Sequence, residues 1–279
     1  MRSRFNINNY SNLAQRVIAA IIGGSILIAG TIYDQWLYFA IFFVICMLAQ
    51  LEFYKLVGLD GMLPLKTVGT ILGCVIFTMS YLVELKHLPD SYYFLIFPLV
   101  SIIFFIKLYK KSDKKPFTSI AFTFLGIFYV GIPFALLNVA AFSVNGIFQY
   151  EIILGTLFIL WASDSGAYFA GTRFGKTKLF ERISPKKSWE GSVGGAITSF
   201  GVALVLASKF TILDVTQWMI ITTIIIIAGT YGDLVESLFK RSIEIKDSGQ
   251  SIPGHGGFLD RFDGLLLASP FITAFLKIF

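Results

Sequence analysis

Two short segments gather most of the chemistry-bearing side chains of an otherwise apolar chain. The first reads Gly232-Asp233-Leu234-Val235-Glu236-Ser237-Leu238-Phe239-Lys240-Arg241. Asp233, Glu236, Ser237 and Lys240 recur at i, i+3, i+4 and i+7, which is one face of a helix. The second runs through Lys246-Asp247-Ser248-Gly249 to Pro253-Gly254-His255-Gly256-Gly257-Phe258-Leu259-Asp260-Arg261-Phe262-Asp263. Asp260 and Asp263 share a face at the start of a further helix. Two helix ends thus bring Asp233, Asp260 and Asp263 to one glycine-rich loop. Hard oxygen donors of this kind suit Mg²⁺, which binds through one or two carboxylates plus phosphate oxygens. Lysine, arginine and glycine backbone amides suit a polyphosphate. His255 is one of two histidines, with no second one nearby. That argues against zinc, and its plainest role is a hydrogen bond that fixes the loop.

Two other segments carry charge where little is expected. Asp164 lies in Trp161-Ala162-Ser163-Asp164-Ser165-Gly166-Ala167-Tyr168, inside an apolar run. A carboxylate at membrane depth costs a few kcal/mol or more (roughly 3) unless paired or wet, so a polar site opening to one membrane face is expected there. Ser184-Pro185-Lys186-Lys187-Ser188-Trp189-Glu190-Gly191 offers two adjacent lysines for a phosphate, or for lipid headgroups at the surface. Gly191 and Gly195 are spaced for close helix packing. Gly171-Thr172-Arg173-Phe174-Gly175-Lys176-Thr177 resembles a phosphate-binding loop but has one residue too few between its glycines and follows an apolar helix rather than a strand, which excludes that reading.

The elements that must position these residues are membrane helices. Of 279 residues, 56% are apolar and 14% charged, with 29 phenylalanines. Soluble domains average about a quarter charged, so lipid must be the main solvent. Nine stretches approach the length of about 20 residues that crosses a bilayer. They lie near 16–33, 36–52, 67–84, 91–108, 117–142, 152–170, 190–208, 216–236 and 262–278. The first reads as a membrane helix rather than a cleaved signal, because no small-x-small site ends it. With the N-terminus placed in the cytosol, 20 of the 23 lysines and arginines fall on cytosolic segments and Lys86, Lys209 and Lys277 outside. Positive charge concentrates inside, so this alternation is favoured. The expected fold is an all-α integral membrane protein of about nine transmembrane helices, N-terminus cytosolic and C-terminus outside. It divides into N-terminal helices (1–150) and a catalytic region (151–279) with cytosolic loops 171–190 and 237–261. Cys46 and Cys74 fall in apolar stretches without metal or disulfide spacing and read as packing residues.

The segment from Ser237 to Asp263 resembles the signature of the phosphatidate cytidylyltransferase (CDP-diacylglycerol synthase) family. Ser237, Lys240, Arg241, Lys246, Asp247, Gly249, Ile252, Pro253, His255, Gly256, Gly257, Phe258, Asp260, Arg261, Phe262 and Asp263 all stand at the family's spacing. The segments around Asp164 and from Ser184 to Gly191 are similar to further family blocks. The resemblance covers residues 160–263; the first 150 share only their apolar character. It implies transfer of a cytidylyl group from CTP to phosphatidate, giving CDP-diacylglycerol and pyrophosphate in phospholipid biosynthesis, at an inner membrane with the site facing the cytosol. It also implies Mg²⁺, with a second cation left open; the clustered carboxylates make Asp233 and Asp260 its expected ligands, with Asp263 as a third or supporting one. Lys240, Arg241, Lys246, Asp247 and Arg261 are the expected catalytic residues. Asp164, Lys186, Lys187, Ser237, His255, Gly256 and Gly257 are the expected substrate-binding ones. Partners are the two substrates and membrane lipids, not nucleic acid; the glycine-rich helices allow homodimer packing without requiring it. A CTP-dependent polyprenol kinase and an ion-coupled transporter are the alternatives. The first fits the motif less fully. The second would call for an inverted repeat and midplane charges, whereas the charges here cluster at one face.

Overall fold

The computed structural model describes residues 12–111, 113–245 and 256–279. Every apolar stretch named above becomes a helix. Among the described residues these are α1 (Asn12–Tyr33), α2 (Gln35–Leu59), α3 (Lys66–Glu84), α4 (Asp90–Tyr109), α5 (Pro116–Ala141), α6 (Tyr150–Phe174), α7 (Trp189–Lys209), α8 (Val215–Ser242) and α9 (Leu259–Ile278). By length and composition α2 to α8, seven helices, can cross a membrane. The apolar part of α1, Val17–Tyr33, is shorter. The first turn of α9 carries Asp260 and Arg261, with Asp263 just after.

One departure from the all-helical expectation falls in the segment read as a loop, 171–190. It forms a small antiparallel hairpin, β1 (Lys178–Phe180) and β2 (Ser184–Ser188), with Lys178 opposite Ser188. Glu190, in the first turn of α7, makes it: its carboxylate accepts the backbone N–H groups of Lys176 and Thr177, each at 3.1 Å. The Trp189 N–H donates to Thr177 O at 3.0 Å, and Ser188 Oγ caps α7 by accepting from Gly191 N at 3.1 Å. Such local capping is strong enough to order a short polar strand pair.

Inside lipid, helices associate by close packing and by hydrogen bonds that water cannot replace, so glycine and buried polar side chains decide the contacts. Tyr54 of α2 wedges between two helices. A Cβ on Gly69 of α3 would sit 2.1 Å from its hydroxyl, and one on Gly126 of α5 2.4 Å from its Cζ. The hydroxyl donates to Thr123 O at 2.7 Å. Asn138 of α5, fully buried, accepts from Tyr38 Oη at 3.0 Å and donates to Phe77 O and Ser80 Oγ, both at 2.9 Å. One apolar cluster runs from Tyr38 on α2 to Ile272 on α9 and so joins both ends of the chain. The α6–α7 pair meets through Gly166, Gly191, Gly194 and Gly195; a Cβ on Gly195 would lie 2.7 Å from Ser163 O. The close-packing role expected of Gly191 and Gly195 is what the structure shows.

Helix ends sort into two sets. At one end Lys107 of α4, wholly buried, donates to Leu63 O at 2.6 Å and pairs with Asp113. At the other, Tyr81 Oη donates to Gln35 O at 2.9 Å, and Lys277 Nζ to Glu84 at 3.2 Å. The Glu52–Phe258 bond (2.8 Å) belongs to the first end, with the acidic and basic segments.

The crossing of α8 and α9 is the closest approach of one helix to the backbone of another among these contacts. A Cβ on Gly232 would meet Asp263 O at 2.4 Å and Gly264 Cα at 2.9 Å. Both are backbone atoms, which cannot turn aside. Gly232→Ala is therefore expected to lower stability by about 1–3 kcal/mol, read as a drop in thermal unfolding temperature in detergent. Gly201→Ala, with nothing within 4 Å of its Cβ, should leave it unchanged.

The Lys107–Asp113 pair gives a second expectation. The hydrogen bond from Lys107, helped by Ser119 and the Lys115 backbone, holds the Asp113 carboxyl down at about 2 despite its burial. A carboxyl lowered by folding stabilises the protein above its unfolded pKa, and that contribution fades as pH falls toward the folded one. Asp113→Asn should thus lower the unfolding temperature at pH 7, with the gap to wild type closing as pH drops from about 4 to about 2.

Candidate active site

The site is assembled where α8 crosses α9, with the hairpin and α6 beside it. On α8 a π turn, Ile225–Gly229, precedes the acidic face. Turns of this kind inside helices re-aim the residues after them and gather at functional sites. Asp233 then points toward the hairpin. Lys187 of β2 reaches Asp233 Oδ2 at 2.5 Å and Thr230 O at 3.4 Å. Ser237, one turn on, donates to Asp233 Oδ1 at 3.2 Å. Side chains alternate along a strand: Lys187 is half-buried on the site side, and its neighbour Lys186 is exposed. Of the two adjacent lysines, the structure brings in one.

The next turn of α8 faces α9. Lys240 Nζ donates to Glu236 Oε2 at 3.1 Å and to Asp260 Oδ1 at 2.6 Å. The other Asp260 oxygen accepts from Gly257 N at 3.3 Å. Gly256 makes that turn at φ +86°, a left-handed conformation that side chains other than glycine rarely adopt. Asp263 accepts from Gly264 N at 2.6 Å, which orients its carboxylate beside the Gly232 crossing. Asp263 lies within electrostatic range of Asp233 and Asp164, and Asp164 in turn of Asp233, Lys187 and Arg261. Asp164 is exposed on α6, toward this cluster.

Arg241 stands apart. It is exposed, and its guanidinium donates to Ile245 O at 3.0 Å, closing the end of α8 rather than facing the carboxylates. Lys246, Asp247 and His255 lie outside the described residues. Two groups that the motif does not contain belong to the cluster. Glu236 is 1% exposed and faces Asp260 and Asp263; its Oε1 has no hydrogen-bond partner among the described residues. Tyr129, in the π turn Ile127–Gly131 of α5, brings a buried hydroxyl, also unpartnered among them, within electrostatic range of Asp233, Glu236 and Asp263. Glu236 was legible as part of the Asp233–Lys240 helical face; nothing near Tyr129 in the chain marked it.

Five carboxyl groups, those of Asp164, Asp233, Glu236, Asp260 and Asp263, share this region with Lys187, Lys240 and Arg261. Like charges so close cannot all stay ionised without further cations. The donor set is all hard oxygen, and the buried carboxylate oxygen Glu236 Oε1 lacks a hydrogen-bond partner among the described residues, which fits Mg²⁺. No three acidic, histidine or cysteine side chains among the described residues close on a common point. Mg²⁺ does not require that, since one or two carboxylates and substrate phosphates complete its shell.

Residues 14–279 match the cytidylyltransferase family. A protein of Haemophilus influenzae named phosphatidate cytidylyltransferase is 34% identical over 291 residues, spanning 94% of this chain and 98% of that protein. Proteins of the same name from Bacillus subtilis and Staphylococcus saprophyticus are 38% and 40% identical, over 58% and 64% of this chain and 60% and 68% of theirs. With the match running through all nine helices and both halves of the acidic cluster, the chain belongs to the cytidylyltransferase family.

Proposed function

We propose that this protein transfers the cytidylyl group of CTP to phosphatidate, giving CDP-diacylglycerol and pyrophosphate, at the cytosolic face of an inner membrane. The observation that carries this reading is the meeting of Asp233 and Asp263 at the Gly232 crossing, with Lys187 and Lys240 each bound to a carboxylate beside it. Family membership and the names of the relatives support the same substrates.

The reaction is a direct displacement. A phosphatidate oxygen forms a bond to the α-phosphorus of CTP, and the bond from that phosphorus to the bridging oxygen breaks, releasing pyrophosphate. Phosphoryl transfer of this type depends on positioning and charge neutralisation more than on covalent help from the protein. No general base is assigned, because phosphatidate is already ionised at pH 7. Mg²⁺ held by Asp233 and Asp260, with Asp263 beside them, would supply charge neutralisation on the phosphate oxygens. Lys187 and Lys240 carry three N–H donors each and use one or two on carboxylates. Their remaining donors are available to phosphate oxygens, and Arg261 is positioned near Asp164 to serve the same groups. Gly256 and Gly257 make the turn that meets the nucleotide, the signature assigns Lys246, Asp247 and His255 to the same substrate, and Ser237 holds Asp233 in place. Lys186, exposed on the opposite side of β2, serves the lipid headgroup rather than the nucleotide. Arg241 closes α8 and acts from outside the cluster.

Nine crossings with the N-terminus in the cytosol place the whole cluster at the cytosolic end, where CTP is. The excess of lysine and arginine on those segments supports this orientation.

Asp233→Asn and Asp260→Asn should each lower turnover by about 10²–10³-fold, measured as transfer of label from CTP into lipid by the purified protein, with the variants still folded in detergent. Near-normal turnover of either would remove that residue from the metal role. Release of pyrophosphate together with a CDP-lipid confirms the reaction; release of CDP with a phosphorylated lipid would mean a lipid kinase instead. Orientation is read by labelling: Lys86→Cys should react with an impermeant maleimide in intact cells and Lys186→Cys only after permeabilisation. Cys46 and Cys74 are buried and contribute little background.

A further inference from the structure

The start of α9 lacks a cap of its own. Phe258 occupies the N-cap position without a side-chain hydrogen bond to the helix, although the first N–H groups of a helix need acceptors. The acceptor comes from far away in the chain. Glu52 of α2 is 6% exposed, and its Oε2 accepts the Phe258 N–H at 2.8 Å across 206 positions. The neighbouring Gly257 N–H is held by Asp260. Two carboxylates thus hold the turn immediately ahead of Asp260 and Asp263, and one of them belongs to the first half of the protein.

The rest of that stretch of α2 explains why Glu52 is rigid. Phe53 stacks on Phe239 of α8, with ring centroids 5.3 Å apart and planes within 20°. Tyr54 is wedged between Gly69 and Gly126 and bonded to Thr123 O. Three consecutive residues of α2 therefore grip α9, α8, and the α3–α5 pair. Phe239 immediately precedes Lys240, the side chain that joins Glu236 to Asp260. A carboxylate this deep in an apolar helix is costly unless it has a fixed task, and here its task is an N–H bond at the edge of the acidic cluster.

We infer that Glu52 is a positioning residue for the reaction: its carboxylate holds the first turn of α9 so that Asp260 meets Lys240 and Asp263 faces Asp233. It does not touch the reacting atoms. This rests on the cytidylyl-transfer reading for its kinetic arm only.

The test uses the full-length protein in lipid nanodiscs and three variants. Glu52→Gln keeps an acceptor oxygen at the same reach and should keep at least about half of the wild-type kcat, because the geometry is retained. Glu52→Asp withdraws the oxygen by one methylene and should give an intermediate kcat. Glu52→Leu should lower kcat by about 100-fold, the scale of a displacement near 1 Å in a reacting site, with the KM for CTP changed far less. Hydrogen–deuterium exchange provides the second readout. In the Leu variant, peptides covering 256–264 should exchange faster while those of α6 and α7 keep wild-type rates. Wild-type kcat and exchange in the Leu variant would overturn the inference. So would equal loss in the Gln and Leu variants with unchanged exchange at 256–264, which would mean that charge and not the hydrogen bond matters. Loosening of all helices together in the Leu variant would assign Glu52 to general stability and also overturn it. If the wild type itself makes no CDP-lipid, the functional reading fails, while the exchange comparison still decides whether Glu52 holds the turn.

Discussion

The close approach of Gly232 to the backbone of Asp263 is the contact on which the rest of the site depends. It removes a side chain's thickness between α8 and α9 and lets two acid-bearing helices meet. Each acid would be a liability in lipid alone. Brought together they become a common negative field, and the cations that answer it arrive from three directions: Lys187 from the hairpin, Lys240 from α8, Arg261 from α9. The hairpin therefore has a structural reason. A helix-to-helix loop could hang free of the site, whereas a strand held by Glu190 and running into the Ser188 cap of α7 fixes which of two adjacent lysines turns inward.

The same economy appears on the N-terminal side. α2 is apolar along most of its length, yet it buries Gln50 and Glu52 and, within the next two residues, Phe53 and Tyr54. Gln50 packs against Gly73 and Gly131, and its Nε2 lies 3.5 Å from Gly126 O, just ahead of the π turn in α5. That turn carries Tyr129 toward the acids. Helices that look like mere lipid-facing spans are thus the wall against which the acid-bearing helices are set. The continuous apolar cluster from Tyr38 to Ile272 makes the wall rigid, since closely packed interiors transmit small displacements.

Much of this was legible in the chain, for identifiable reasons. All nine helices follow from hydropathy, which in a membrane protein is nearly a one-dimensional signal. The pairing of α8 and α9 acids followed from i, i+3, i+4 spacing, and Gly191 and Gly195 declared their close contact by their spacing. What escaped was three-dimensional. The hairpin rests on Glu190 reaching back 13 and 14 positions. The split between Lys186 and Lys187 rests on strand alternation that a loop would not impose. Arg241 sits in the signature but is spent on the end of α8. Glu236 shared the acidic face yet lay outside the signature, and Tyr129 and Glu52 lie in segments that read only as apolar spans, although the family match begins at residue 14.

A lipid and a nucleotide must meet in this protein although they prefer different solvents, and the arrangement of charges reflects that. The acids and their lysines occupy one end of the helix bundle, while the other end is tied by Tyr81, Glu84 and Lys277. A charged site at mid-depth would demand desolvation of the nucleotide's phosphates without repayment from water or counter-ions. A site wholly outside the bilayer would require the diacyl chains to leave it. Placing the carboxylates within the last three turns of α8 and the first two of α9 satisfies both demands. The helix bodies remain in lipid, where an acyl chain can lie, and their ends carry the polar groups into reach of a polyphosphate. The glycine crossing keeps the two ends together at that depth, so the geometry of the acidic cluster and the solvent boundary are set by the same contact.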